Sequence, residues 1–268
     1  MDLPGMWQGG EPQKWVDGCF VSFSVNCGYC RYGSGVFGMK YMGSKRRIAK
    51  YILPIMLEHR KSGQFWVEPF VGGANTIDKV DGNRIGADKN EYIAELWKAL
   101  IYRNWQPPTS VSEEEYNDIK RNRENYPKEL VGFCGVALTF GSTWLGTYAR
   151  NKKGTNYAME GRKNLMDQVR RLQGTTILNY DFIDLPIPQN SLVYCDPPYE
   201  GVRGYKDKFD HAKFWQWCRD KSEEGHTLFI SEYKAPDDFI CVWSGELKTN
   251  MDAKHTTKPI EKLFTPML

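Results

Sequence analysis

The sequence predicts an α/β fold in which helices flank a mainly parallel sheet and a mainly helical and loop region is inserted. The first observation is the order strand, glycine-rich turn, helix, strand, acidic residue and helix over residues 65–102. The second is the return of alternating strands and helices over residues 175–231. The stretch 105–172 between them breaks this alternation. We therefore expect one domain from residues 39–104 and 173–268, with residues 105–172 inserted into it.

Length and composition are those of a globular protein with a small positive charge. The chain has 268 residues, of which 41% are hydrophobic and 26% charged, and its net charge is +3. Any nucleic-acid surface must therefore come from local clustering of cations. The longest apolar runs fall short of the ~18 residues that a membrane span requires, so we expect no membrane association.

The N-terminal residues 1–38 differ from the rest, since they show no helical period and precede a plausible start at Met39. We interpret them as an extension of unknown role. Cys27 and Cys30 form a lone CxxC there, with Cys19 nearby. No second pair or histidine completes a zinc site, so we expect no metal. An odd number of cysteines and no signal peptide predict reduced thiols and an intracellular protein.

The first half of the sheet pattern leads into a glycine turn and an acidic residue. Strand 84–87 ends directly at Asp88. This order is typical of nucleotide-binding α/β sheets. The predicted elements are a helix over 46–59, a strand over 65–70, a glycine turn over 71–74, a helix start over 75–80, a strand over 84–87 and a helix over 91–102.

The inserted stretch concentrates positive charge. Residues 113–126 have a polar, helical composition, and residues 130–145 are apolar with several glycines. Between residues 146 and 171 there are seven basic and two acidic residues, which gives a local charge of +5. Such a cluster suits phosphate contacts, although a charge run is also typical of a solvated surface.

The second half of the pattern contains the sharpest motif, Asp196-Pro197-Pro198-Tyr199, directly after an apolar strand. The prolines exclude a helix and leave their carbonyls free at the carboxyl end of the strand, where open α/β sheets bind ligands. The predicted elements are strands over 175–178, 191–195 and 227–231 and a helix over 211–222.

The chemistry of this motif fits an adenine amine. The Asp196 carboxylate and the Pro197 carbonyl can each accept one N–H bond from the exocyclic nitrogen, and Tyr199 can stack on the ring. An enzyme acting on a base within a duplex must extrude it, so a stacking side chain is expected. The alternative is a rigid Pro-Pro turn capped by aspartate.

The tetrapeptide together with Glu68-Pro69-Phe70-Val71-Gly72-Gly73-Ala74 resembles the Dam-like, D12-class DNA adenine-N6 methyltransferases, especially those of bacteriophages and prophages. The likeness extends from Met39 to the C-terminus and includes the order of the motifs. It implies a Rossmann-like sheet that binds S-adenosylmethionine, with residues 105–172 as the target-recognition region. It implies catalytic roles for Asp196, Pro197, Pro198 and Tyr199.

The resemblance also implies a set of cofactor contacts. Lys45 would meet the methionine carboxylate, Asp88 the ribose hydroxyls, and Asp181-Phe182 the adenine. Lys45 alone would be interpreted as part of a basic helix start, and Asp88 as part of a capping box. The implied cofactor-binding residues are Tyr41, Lys45, Glu68, Pro69, Phe70, Gly72, Gly73, Asp88, Asp181 and Phe182.

The implied partner is double-stranded DNA, bound through the insert. We expect cations there to contact phosphates and other polar side chains to reach base edges. The candidate DNA-binding residues are Arg150, Lys152, Lys153, Arg162, Tyr148, Asn156 and Tyr157.

The predicted function is methyl transfer from S-adenosylmethionine to adenine N6 at a short specific DNA sequence, by base flipping and in-line transfer. The alternatives are a methyltransferase for cytosine N4, RNA adenine or protein glutamine, and an inactive DNA-binding relative. The first motif residue favours adenine, since Asp196 stands where such relatives usually carry Ser or Asn. We expect a monomer in the cytoplasm of a bacterium or phage-infected host, with restriction-modification as one context.

Overall fold

The computed structural model describes residues 14–16, 19–21, 38–200, 209–246 and 260–267. Two short strands near the N-terminus, β1 (Lys14–Val16) and β2 (Cys19–Val21), pair with each other in antiparallel orientation. The strands of the main sheet are β3 (Trp66–Glu68), β4 (Arg84–Ala87), β5 (Thr175–Leu178), β6 (Leu192–Cys195), β7 (Thr227–Glu232), β8 (Phe239–Glu246) and β9 (Ile260–Pro266).

The main sheet has the strand order β5-β4-β3-β6-β7-β9-β8. The first five of these strands are parallel to one another, whereas β9 runs antiparallel to both β7 and β8. Numbered along the chain, the parallel strands have the order 3-2-1-4-5, which is that of a Rossmann sheet. The predicted α/β fold with a Rossmann-like sheet is confirmed.

Polar side chains define where several helices begin. Asn90, Ser112, Asn156 and Asp210 each accept a backbone N–H of the following first turn. Such N-caps satisfy donors that a helix cannot satisfy internally. The α-helices are α1 (Ala49–Glu58), α2 (Glu91–Tyr102), α3 (Glu113–Arg121), α4 (Lys128–Ala137), α5 (Tyr157–Val169) and α6 (His211–Glu223).

Both faces of the sheet are covered by apolar side chains. Trp66 and Tyr194 project into a large cluster that includes residues of α1, α2, α4 and α5. Val67 and Val193, their chain neighbours, project to the other face, against α6. The central strands β3, β4 and β6 are buried along their whole length, as parallel strands covered on both faces require.

Some predicted elements differ in extent from those observed. The helix predicted over 46–59 is a 3₁₀ turn at Lys45–Arg47 followed by α1, and the helix start over 75–80 is only a 3₁₀ turn at Ile77–Lys79. The helix predicted over 113–126 ends at Arg121. Helices α3 to α5 lie within the predicted insert, whose boundaries stay a prediction.

The cysteines are partly as expected. Cys134, Cys195 and Cys218 are free and buried. Cys241 is disulfide-bonded, so the expectation of reduced thiols is wrong there. The CxxC of Cys27 and Cys30 lies outside the described residues. Within the described ranges, no helix is both long and apolar enough to cross a membrane.

Candidate active site

The sequence motifs meet where the sheet changes direction. Strands β3 and β6 are neighbours, and the chain continues from β3 to one side of the sheet and from β6 to the other. The glycine loop 71–74 follows β3, and the Asp196-Pro197-Pro198-Tyr199 turn follows β6. Open α/β sheets bind their ligands outside the carboxyl ends of the strands at such a switch point.

Asp196 forms an ion pair with Lys45. The ammonium Nζ lies 2.8 Å from Asp196 Oδ1 and 3.8 Å from Glu261 Oε2, and it donates to the Gly43 carbonyl at 2.9 Å. The Lys45 side chain is 4% exposed, whereas that of Asp196 is 22% exposed. Lys45 therefore neutralises the motif aspartate from inside the protein, while the carboxylate keeps one accessible side.

Tyr199 is held by three contacts from other parts of the chain. Its ring lies beneath the Lys45 ammonium, with 4.4 Å between Nζ and the ring centroid. Its hydroxyl donates to Glu261 Oε2 at 2.7 Å. The Tyr233 ring meets it edge to face, with centroids 4.7 Å apart and an interplanar angle of 81°. The orientation of this ring is thus strongly determined.

Buried carboxyl groups outnumber the cation in this site. Burial, opposed by Lys45, raises the pKa of Asp196 to about 6, and burial raises the pKa of Glu232 to about 7. Burial likewise raises the pKa of Glu68 to about 8, although the Trp66 indole donates to it at 2.9 Å. Burial opposes the charge of Lys45, but Asp196 and Glu261 raise its pKa overall. An incoming cation would therefore favour the ionised forms of these carboxyl groups.

Tyr41 packs directly against the glycine loop. A Cβ on Gly72 would lie 2.7 Å from Tyr41 Cε1, and one on Gly73 would lie 2.7 Å from Tyr41 Cβ. Gly72 also has φ +43°, a conformation that favours glycine. The two glycines therefore allow Tyr41 to lie directly against the loop.

Asp88 fixes the same loop from the end of β4. Its Oδ2 accepts the Gly72 N–H at 3.0 Å and its Oδ1 accepts the Asn90 N–H at 2.8 Å. The capping-box interpretation of Asp88 is wrong, because Asn90 is the N-cap of α2 and accepts the Tyr92 N–H. Burial raises the pKa of Asp88 to about 6. A carboxylate offers about four lone pairs, so Asp88 can accept further hydrogen bonds.

The remaining cofactor candidates flank this edge. Asp181 pairs with Lys89 at 2.9 Å and is partly exposed. Phe182 is buried, and its ring packs 5.4 Å from that of Phe70. Pro69 is buried between Glu68 and Phe70. Phe182 thus belongs to an aromatic cluster, whose other members are Phe209, Phe214 and Trp217.

Sequence reasoning missed a buried amide that holds the glycine loop. Gln168 on α5 is fully buried and donates to the carbonyls of Gly73 and Ala74 at 2.9 and 3.0 Å. Its Oε1 accepts the Met39 N–H at 2.7 Å, and Asn75 donates to the Met39 carbonyl at 2.9 Å. Gln168 belongs to no sequence motif. It differs from other glutamines in helices only in its tertiary contacts, which the sequence does not show.

Glu261 and Glu232 were also missed. They lie on β9 and β7, and the two residues are 5% and 3% exposed, respectively. Glu232 accepts the backbone N–H groups of Tyr233 and Glu200 at 2.7 and 3.3 Å. The sequence feature that could have identified Glu261 is an acidic residue within an apolar, strand-like run, here residues 260–266.

Several predicted DNA-binding residues have partners within the protein. Tyr148 donates to the Val111 carbonyl at 2.7 Å, and Arg162 donates to the Pro107 carbonyl and to Gln106. Asn156 caps α5 and donates to the Thr109 carbonyl at 3.0 Å. Tyr157 is partly buried, with the Lys40 ammonium 5.7 Å from its ring centroid. These contacts give each of the four side chains a structural role within the protein.

The basic loop, defined here as Arg150, Lys152 and Lys153, is exposed. Arg150 pairs with Glu113 at 3.1 Å while its side chain stays 70% exposed. Asn151 Oδ1 accepts the N–H groups of residues 153 and 155, both at 3.1 Å, which orders the turn. The basic loop therefore presents cations to solvent on an ordered turn.

Comparisons with known proteins match part of the chain. A model of the family described as D12 class N6 adenine-specific DNA methyltransferase matches residues 41–129. This part of the chain is therefore similar to the D12 class. The match confirms the predicted resemblance and contains Lys45, the glycine loop and Asp88, whereas Asp196 and Glu261 lie beyond it.

A curated relative supports the same assignment over a longer stretch. The chain is 24% identical over 208 residues to the type II methyltransferase M.FokI of Planomicrobium okeanokoites. The aligned stretch covers 63% of this chain and 31% of that protein. The chain thus spans less than a third of the relative's length. Among the residues that the structure describes, no three His, Cys, Asp or Glu side chains are grouped to hold a metal.

Proposed function

We propose that this chain transfers a methyl group from S-adenosylmethionine to N6 of adenine in double-stranded DNA, at a short specific sequence. The observation that carries the proposal is the position of the Lys45 ammonium. This nitrogen donor lies 2.8 Å from Asp196 Oδ1 and 4.4 Å from the centre of the Tyr199 ring. Lys45 therefore marks where a carboxylate acceptor and an aromatic ring come together, and an exocyclic amine would use the accessible side of the same carboxylate, which is 22% exposed.

The target base is held by the turn after β6. Asp196 and the Pro197 carbonyl accept the two N–H groups of the amine, and Tyr199 stacks on the base. Adenine must be flipped out of the duplex to reach them. Hydrogen bonding to both protons favours a less conjugated nitrogen whose lone pair is available. The ionised form of Asp196 is the acceptor, so its raised pKa limits the reaction at low pH.

The residues around the glycine loop fit S-adenosylmethionine. The molecule carries a sulfonium and an ammonium, and the surrounding site has more carboxyl groups than cations. Asp88 has lone pairs left for the ribose, and Asp181 is partly exposed for the adenine amine. When bound, the sulfonium supplies an activated methyl group.

Lys45 can contribute to cofactor binding without leaving Asp196. An ammonium has three N–H donors, and Asp196 and the Gly43 carbonyl accept two of them at 2.8 and 2.9 Å. The third remains for the carboxylate of the methionine part, a charge-assisted contact. Lys45 would then join the cofactor side of the site to the base side.

We infer that DNA binds across the insert, with the basic loop on phosphates. The protein acts as a monomer in the cytoplasm of a bacterium or phage-infected host, as the resemblance implies. The basic loop is the part of the predicted DNA-binding set whose side chains extend into solvent. Binding through phosphates positions the duplex but reads no sequence by itself.

Product analysis tests the proposal directly. Purified protein is incubated with methyl-labelled S-adenosylmethionine and mixed-sequence duplex DNA, with RNA of the same sequence in parallel. We expect label in DNA only, recovered as N6-methyladenine by mass spectrometry of the digest. N4-methylcytosine, label in RNA alone, or DNA binding without any methylated product would each reject the proposal and indicate one of the alternatives.

A further inference from the structure

Glu261 lies outside every motif that the sequence analysis identified, yet it contacts two members of the site. Its side chain is 7% exposed and projects from β9, the antiparallel strand beside β7. Oε2 accepts the Tyr199 hydroxyl at 2.7 Å and lies 3.8 Å from Lys45 Nζ. A buried carboxylate is costly unless it is paired and hydrogen-bonded, and these two contacts supply both.

We propose that Glu261 is a positioning residue for base recognition, which anchors the Tyr199 hydroxyl so that the ring stays in place for stacking. This inference rests on the proposed function. Glu261 acts through Tyr199 and Lys45 and does not itself contact the base. It adds β9, the last strand along the chain, to the elements that build the site.

The tyrosine ring requires an anchor because its backbone does not orient it. Pro197 and Pro198 fix the chain before Tyr199, but the ring can still rotate about its own side-chain bonds. The hydrogen bond to Glu261 fixes the far end of the ring, and the Tyr233 ring contacts it at a centroid distance of 4.7 Å. A bond to an ionised acceptor is roughly twice as strong as a neutral one. The ring is therefore preorganised before a base arrives.

Glu261 also affects the charge of Asp196, because both carboxylates share Lys45. The negative charge of Glu261 contributes to the raised pKa of Asp196, after burial and against the opposing effect of Lys45. Replacing that charge should lower the pKa of Asp196 and extend activity to lower pH. The titratable groups around Asp196 are Lys45 before α1, Glu68 on β3, Tyr194 and Cys195 on β6, Tyr199 after it, Glu232 and Tyr233 at the end of β7, and Glu261 on β9.

A set of substitutions separates anchoring from charge. Glu261→Gln keeps an acceptor for the hydroxyl but removes the charge, whereas Glu261→Leu removes both. Each is combined with Tyr199→Phe, which has no hydroxyl to anchor. Glu58→Gln, an exposed glutamate at the end of α1, is the matched control for loss of one negative charge. Methyl transfer to duplex DNA is measured from pH 5 to 9, with thermal unfolding as the check on folding.

We expect Glu261→Leu to lower kcat/KM for DNA about tenfold or more in the wild-type background, since a hydrogen bond to a charged group is lost. In the Tyr199→Phe background the same substitution should cost about twofold or less, because coupled residues do not act additively. Glu261→Gln should move the acid limb of kcat to lower pH, and Glu58→Gln should leave it in place.

Equal losses in both backgrounds, or an unmoved acid limb in Glu261→Gln, would overturn the positioning role. If Glu261→Leu does not fold, Tyr199→Phe alone tests the anchor, since it removes the anchored hydroxyl and keeps the ring: kcat/KM for DNA should fall about tenfold, and wild-type activity would overturn the positioning role. The wild-type protein assayed alongside separates the two levels of inference. Absence of N6-methyladenine from the wild-type reaction rejects the proposed function, whereas wild-type product with equal losses rejects the role of Glu261 alone.

Discussion

Replacing Asp196 with alanine should abolish most methyl transfer while leaving cofactor binding largely intact. In the structure the carboxylate combines an ion pair to Lys45 with an accessible side at the motif turn, and its side chain is 22% exposed. The proposed cofactor contacts come instead from the loop at Gly72, from Asp88 and from Asp181. An interaction made mainly in the transition state affects turnover more than ground-state binding.

The magnitude follows from two separate losses. Removing one preorganised partner of the reacting group commonly lowers the rate by about 10²–10³. Breaking a buried ion pair costs about 3–5 kcal/mol of stability. Lys45 keeps the Gly43 carbonyl at 2.9 Å and Glu261 at 3.8 Å, so we expect a destabilisation at or below the lower end of that range. Asp196→Asn, which keeps the shape, should lose turnover with less destabilisation.

The assay measures single-turnover transfer from labelled S-adenosylmethionine to duplex DNA, alongside calorimetric cofactor binding and thermal unfolding. We expect folded Asp196→Ala protein that binds the cofactor within a few-fold of wild type, with a rate lower by about 10² or more. Near-normal turnover would remove Asp196 from the mechanism. Loss of cofactor binding in a folded variant would show that Asp196 belongs to the cofactor side of the site.

Three further predictions concern pH, salt and the glycine loop. Turnover should be half-maximal near pH 6 and should level off above that pH, because burial, opposed by Lys45, raises the pKa of Asp196 to about 6 and only the ionised form accepts. A flat rate from pH 5 to 7 would contradict this. Neutralising the basic loop should reduce the slope of log affinity for DNA against log salt concentration by about 0.9 per lost phosphate contact. The control Arg219→Gln on α6 should not change this slope. An unchanged slope in the loop variant would identify the loop as a solvated surface only. Gln168→Met should weaken S-adenosylmethionine binding about tenfold or more in titration calorimetry, because buried loop carbonyls lose their donor, and unchanged affinity would refute this.

The parallel half of the sheet could be predicted closely from local patterns. The strands over 84–87 and 175–178 have the predicted bounds, and β6 begins one residue later than the predicted strand. These strands are four residues long, each contains at least two apolar residues, and each is followed directly by a polar residue, namely Asp88, Asn179 and Asp196. Because ligands of such sheets bind beyond the strand ends, the same patterns located Asp88 and Asp196.

The antiparallel edge of the sheet could not be predicted in the same way. Strands β8 and β9 pair with each other and with β7, and the pairing of β8 contains an irregularity between Cys241 and Trp243. Both strands mix buried and exposed positions, so neither shows the continuous apolar run of a central strand. Glu261 was missed for a related reason, since a charged residue is normally expected at the surface.

The glycine loop shows how far the site depends on tertiary contacts. Its sequence suggested only that the backbone can approach a ligand closely. The structure adds that Tyr41 lies against Gly72 and Gly73, and that Gln168 holds the loop carbonyls. None of these contacts is local in sequence, so no single motif contains them.

The position of Gln168 also bears on how DNA and cofactor binding are related. It lies on α5, the helix that begins directly after the turn carrying the basic loop. The same helix is capped by Asn156 at that end and reaches the glycine loop with Gln168 at the other, three turns along. A rigid helix therefore connects the predicted DNA-binding surface to the backbone that is proposed to hold the cofactor. If DNA displaces the first turn of α5, the displacement reaches the glycine loop through Gln168, so the salt-slope and cofactor-affinity measurements above test two ends of one element.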